Sequence, residues 1–202
     1  MNPTLSPVGI FMILSLCSFV TLKSIAEEQV AVFAGGCFWC TESDFEKLDG
    51  VVSAASGYIG GHIKNPSYKQ VSAGGSGHTE AVQVIFDDQK VSYSDLVEYF
   101  WKTIDPTDGG GQFCDRGQQY RSEIFYLSEE QQSIAKASKK ALANSGLLKS
   151  EIATQLTPSS RFYLAEDYHQ DYYLKNPVRY NYYRWGCGRE KRLEALWGAA
   201  TK

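Results

Sequence analysis

The run EQVAVFAGG, Glu28 to Gly36, is apolar and rich in β-formers, and it predicts a buried strand. The mixed stretch TESDFEKLDG behind it suits a short helix closed by Gly50. VVSAASGYI reads as the next strand, and EAVQVIF alternates as a half-buried one. Ser92 followed by Asp95 forms a capping box for DLVEYFWKTI, where Leu96, Val97, Phe100, Trp101 and Ile104 recur at helical spacing. YRSEIFYL predicts a strand, and Ser128 with Gln131 opens the helix EEQQSIAKASKKALANSG, stopped at Gly146. A β-like SEIATQLT, a tyrosine-rich segment and an amphipathic REKRLEALWG complete the pattern. Strand, helix, strand, strand, helix, strand is the split β-α-β plan, so the expected fold is α+β: a ferredoxin-like two-layer sandwich. Two Gly-rich loops, GGHIKNPSYKQVSAGGSGH and DPTDGGGQFCDRGQQ, interrupt it. Loops of that length without structure usually carry function.

Composition narrows the picture. A chain of 202 residues, 43% hydrophobic and 13% aromatic, buries one substantial core and needs no second domain. A net charge of -3, without a basic face, argues against nucleic acid as a partner. The uncharged apolar run VGIFMILSLCSFVTL and the KSIA before EEQ read as an export signal over residues 1–26, with a single domain over 27–202. No Lys or Arg precedes the run, so a buried N-terminal helix or an uncleaved anchor, with a cytoplasmic enzyme, is the alternative. Leu16 lies where a lipid-modified Cys17 would have a small residue, which argues against a lipoprotein. A cleaved chain is expected to be periplasmic or secreted, without stable membrane association. It also loses Met1 and Met12, the only methionines, and keeps Cys37, Cys40, Cys114 and Cys187.

The candidate chemistry gathers at AGGCFWCTE. A thiol at a helix start meets unpaired N–H groups and the positive end of the helix dipole, which favour thiolate and make Cys37 a candidate nucleophile. The Gly-Gly approach is expected to strip cover from it.

GCFWC, GYIGG, NPSY, GHTEAV, DPTD, GQFCDRGQQYRS, FYLAEDYHQDYY and KNPVRY, in this order from about Val30 to Trp197, resemble the A-type peptide methionine sulfoxide reductases, specific for the S epimer. The resemblance implies reduction of methionine (S)-sulfoxide, free and in oxidised proteins, with no metal or organic cofactor. Cys37 is then the nucleophile, and Phe38 and Trp39 form the pocket for the substrate methyl group. Glu80 is the acid, protonated because it is buried near an aromatic wall. Tyr68 and Tyr120 hydrogen-bond the sulfoxide oxygen, and Asp115 holds the substrate's backbone amide. His78 is left to shape its loop, and His169 with its neighbouring tyrosines to structure.

Recycling departs from the commonest family pattern, because the tail offers only Cys187 ahead of a helix. Cys187 and Cys40 stand level as resolving candidates, with Cys114 behind. Each would trap a sulfenic acid as a disulfide for a thioredoxin-like or other dithiol donor. Three rivals use the same residues: a thioredoxin-like disulfide oxidoreductase built on CFWC, a Cys37–His78 hydrolase, and a four-cysteine zinc module, which normally shows two Cys-x-x-Cys pairs.

Overall fold

The computed structural model describes residues 28–198. The expected export signal lies outside these residues. The first strand, β1 (Glu28–Gly35), leads into α1 (Phe38–Phe45) and then β2 (Val51–Ile59). The first long loop carries a short helix, α2 (Tyr68–Ser72), before β3 (Thr79–Asp87) and α3 (Tyr93–Thr103). The second loop folds into a small hairpin, β4 (Gly111–Gln112) with β5 (Asp115–Arg116), and a 3-10 turn at Gln118–Tyr120. There follow β6 (Ser122–Tyr126), α4 (Glu129–Asn144), β7 (Gln155–Pro158) and β8 (Tyr163–Leu164). The helices α5 (Tyr172–Lys175), α6 (Pro177–Gly186) and α7 (Arg189–Trp197) close the described chain.

The main sheet has the order β7-β6-β1-β3-β2-β8. Its centre, β6-β1-β3-β2, is antiparallel throughout, which is the expected ferredoxin-like plan with β6 as the fourth strand. The additions lie at the edges: β7 pairs parallel to β6, and β8 pairs with β2 through Tyr58↔Tyr163. Two-residue periodicity sorts the side chains. Ala31, Phe33, Val82, Val84, Phe86 and Ile124 face the helices, where Phe33 stacks on Phe45 and Phe100. Val32, Ala34, Ala81 and Phe125 point to the other side, with Phe162 packed against them.

Local signals account for the element boundaries. The Ser92–Asp95 capping box forms as expected, with Ser92 Oγ accepting from Asp95 N–H at 3.1 Å and Asp95 Oδ2 accepting from Ser92 N–H at 3.0 Å. Ser128 caps α4 through Gln131 N–H, whereas the Gln131 amide reaches across to Val30 O at 2.8 Å and ties the helix to β1. SEIATQLT yields a strand only at β7, and REKRLEALWG forms α7, with Arg189 and Leu193 buried. Among the described residues no helix is long and apolar enough to cross a membrane.

Candidate active site

The same periodicity builds the site. On β3, Glu80 shares the face of Val82 and Val84, and this aims its carboxyl at the start of α1. Its Oε2 accepts from Phe38 N–H at 3.0 Å, one of the otherwise unpaired amides of the helix N-terminus. Cys37 is the N-cap residue. Gly36 turns the chain there at φ 86, and a Cβ on it would lie 2.6 Å from Gln112 Cβ. The glycine therefore serves close packing and does not uncover the thiol, since Cys37 is only 6% exposed.

A pocket of about 60 Å³ collects Cys37, Phe38, Trp39, Tyr68, Glu80, Asp115 and Tyr120, every residue expected at the reaction centre. It also includes Tyr183, one of several tyrosines in a segment that has no motif to single it out. Tyr183 donates its hydroxyl to Asp115 Oδ2 at 2.5 Å, so α6 fixes the hairpin carboxylate. A larger hollow of about 300 Å³, near the starts of α3 and α4, contains no cysteine and none of these groups. Trp39 is held on two sides: its indole N–H donates to His169 Nδ1 at 3.0 Å, and its face stacks on Tyr172 at 3.7 Å. Accepting at Nδ1 puts the His169 proton on Nε2, and burial lowers the ring's pKa to about 4, so the imidazole is neutral. Glu166 positions Tyr68, accepting from its backbone N–H at 2.8 Å, and also accepts from Tyr58 OH at 2.8 Å.

Electrostatics corrects one expectation. Burial raises the Cys37 thiol well above its usual range, and its hydrogen bond to Cys40 and the charges of Cys40, Glu80 and Asp115 act the same way. Here burial overcomes the helix terminus. Cys40 is held low, first by the hydrogen bond it receives from Cys37 and then by the Arg189 and Arg184 charges, which together outweigh its own burial. The proton of the pair rests on Cys37. Burial also raises the Glu80 carboxyl well above the carboxylate range, only partly opposed by the Phe38 bond. It pushes the Tyr68 phenol up to about 12 and Tyr120 higher still, so both remain protonated donors.

The remaining candidates sort themselves by their partners. His78 is buried with Nδ1 accepting from Gly61 N–H at 3.1 Å and Nε2 donating to Ile63 O at 2.8 Å, so it shapes the first loop and does not pair with Cys37. Cys114 and Cys187 are bonded to each other, with Cα atoms 4.8 Å apart, while Cys37 and Cys40 are free thiols. In this state neither Cys114 nor Cys187 has a thiol with which to resolve an oxidised Cys37. The four sulfurs do not form the set a zinc module requires. Glu42, within α1, and Glu46, at its end, lie close to Asp171, and Glu42 is already engaged by the Ser56 hydroxyl and Asp171 N–H.

The chain is similar to known proteins over this whole region. Residues 29–201 match the family described as peptide methionine sulfoxide reductase. A Vibrio cholerae peptide methionine sulfoxide reductase MsrA/MsrB is 52% identical over 174 residues, covering 86% of this chain. The chain spans about half of that relative, 46% of its length. A Bacillus licheniformis peptide methionine sulfoxide reductase MsrA is 49% identical over 172 residues, 85% of this chain and 95% of the relative. Among solved structures, reduced Mxr1 from Saccharomyces cerevisiae superposes with a TM-score of 0.68 at 31% identity, covering 79% of this chain and 91% of that one.

Proposed function

Because the chain belongs to the peptide methionine sulfoxide reductase family, we propose that it is an oxidoreductase that reduces methionine (S)-sulfoxide, free and in oxidised proteins, with Cys37 as nucleophile. One observation carries the reading: a buried carboxyl, Glu80, shares a small apolar pocket with a buried thiol, where burial shifts it toward its protonated form.

The sulfoxide methyl group lies against Phe38 and Trp39, and its oxygen faces Glu80, Tyr68 and Tyr120. Asp115, steadied by Tyr183, accepts from the backbone amide of the substrate. Cys37 sulfur attacks the sulfoxide sulfur while its proton passes to Cys40, the acceptor of its hydrogen bond. Glu80 protonates the oxygen as negative charge develops there. The hydroxyl then passes from the substrate sulfur to the Cys37 sulfur as the bond between the two sulfurs breaks, so methionine leaves and Cys37 becomes a sulfenic acid. Cys40 then attacks that sulfur to give the Cys37–Cys40 disulfide and water. An external dithiol, of the thioredoxin type, supplies two electrons and restores both thiols. Cys40 takes precedence over Cys187 and Cys114 because its thiol is free and one helical turn away.

The disulfide-oxidoreductase alternative is not favoured, since exchange with protein disulfides gives Glu80 and the two phenols no role. The deciding experiment offers S-epimer sulfoxide to the wild type and to Cys37→Ser with dithiothreitol as reductant. Methionine is expected from the wild type alone. Undiminished turnover by Cys37→Ser, or brisk insulin reduction without sulfoxide reduction, would overturn the reading.

Export belongs to the same proposal. It is supported by the apolar run ahead of KSIA and by the Cys114–Cys187 bond, of a kind that persists in oxidising compartments. Fractionation that recovers the full-length chain from the cytoplasm would reject it.

A further inference from the structure

The reaction gives no part to Glu42, a carboxyl in the middle of α1 with 1% of its surface exposed. Burying a carboxyl is costly, and here burial pushes it up to about 7 despite its hydrogen bonds. Its partners suggest a role beyond packing. One oxygen accepts from Asp171 N–H at 2.6 Å and the other from the Ser56 hydroxyl. Asp171 has left-handed backbone, φ 51, a conformation uncommon for a residue with a side chain, and Glu42 accepts the amide of that residue. The next residue, Tyr172, is the ring stacked on Trp39 at 3.7 Å with 6° between planes. On the other flank, Gln170 grips Ser56, accepting from its N–H and donating to its carbonyl, both at 2.9 Å. His169 accepts the Trp39 indole N–H. Glu42 and Ser56 thus anchor the turn 169–172, from which both supports of Trp39 project.

We propose that Glu42 is a positioning residue for substrate recognition: by capping the Asp171 amide it fixes the 169–172 turn and so sets the Trp39 wall of the methyl pocket. This rests on the assignment of Trp39 to that pocket. Glu42 touches neither the reacting thiol nor the oxygen, so its loss is expected in substrate affinity and not in the chemical step.

The test compares Glu42→Ala and Glu42→Gln in the wild-type and Trp39→Ala backgrounds, using a methionine (S)-sulfoxide peptide. Glu42→Ala is expected to raise KM at least fivefold with kcat within twofold. Glu42→Gln, whose amide oxygen still accepts from Asp171, is expected to return KM to within twofold of wild type. With Trp39→Ala already present, Glu42→Ala is expected to add less than a further twofold. Trp39 emission, isolated by subtracting the spectrum of the matching Trp39→Phe protein, is expected to shift to the red in Glu42→Ala. That arm needs no substrate, so its failure counts against the anchor alone, whereas an inert wild type counts against the pocket assignment. An unchanged KM and emission, a loss confined to kcat, a Gln variant as damaged as Ala, or equal losses in both backgrounds would each overturn the proposal. Should Glu42→Ala fail to fold, Ser56→Ala and Tyr172→Leu carry the same comparison.

Discussion

A thiol and a carboxyl that burial shifts toward their protonated forms define the chemistry at the scale of single residues. Glu80→Gln keeps the shape and removes the acid. Single-turnover reduction of the S-sulfoxide is expected to fall by about a hundredfold or more, with alkylation of Cys37 largely preserved. Because the Glu80 carboxyl is raised and the proposed acid works in its protonated form, the single-turnover rate is expected to decline as pH climbs through its elevated pKa. Cys40→Ala removes both the hydrogen-bond acceptor and the neighbouring charge that hold Cys37 up, so alkylation of Cys37 is expected to begin at lower pH. The same variant is expected to release one methionine and then accumulate a dimedone-reactive sulfenic acid. Rapid formation of a Cys37–Cys187 disulfide, read by mass mapping, would instead give recycling to the C-terminal cysteine. Cys37 and Glu80 were legible because their motifs are local. The direction of the Cys37 shift was not, because helix position is written in sequence while burial depends on what packs above it.

At the scale of elements, α1 lies between the sheet and the C-terminal helices, with buried residues all around it. Asp44 on its last turn accepts Arg184 at 2.7 Å and faces Arg189 at 3.7 Å, and Arg189 also donates to Thr103 O at 2.8 Å. Asp44→Ala leaves the buried Arg189 guanidinium without its counter-charge, whereas Arg184 keeps Glu190. A loss of about 3 kcal/mol is expected in urea unfolding. The Cys114–Cys187 bond joins the hairpin that carries Asp115 to the end of α6, across 73 residues. Cys114→Ser with Cys187→Ser is expected to cost about 2–4 kcal/mol of stability while a single turnover still yields methionine. The strands β1, β2, β3 and β6 and the helices α3 and α4 were legible from periodicity and caps. The two-residue strands β4, β5 and β8 were not, since so short a pairing has no period to read. The tyrosine run resolved into α5 and α6, where Pro177 takes the first helical position, but which tyrosine meets Asp115 depends on tertiary packing.

For the molecule as a whole, the central strand order followed from the element order, whereas the closure of the C-terminal third over α1 had no local signal. Stability carries a pH signature of that closure. Burial lifts Glu42 from 4.5 to about 7, with Glu46 and Asp171 facing it as further negative charges. The folded state therefore binds this proton more tightly than the unfolded chain. Its contribution is complete below about pH 4.5 and is lost as pH rises through 7. Between pH 5 and pH 8 the wild type is expected to lose on the order of 2 kcal/mol relative to Glu42→Gln, as read by denaturant midpoints. The contacts that complete the pocket span most of the chain: Trp39 to His169 across 130 residues, Glu42 to Asp171 across 129 and Asp44 to Arg184 across 140. Translation therefore delivers the reactive cysteine early and its surroundings late. A nascent chain whose last tyrosines have not yet emerged carries its cysteine without the support for Trp39 and Asp115 that the folded protein provides.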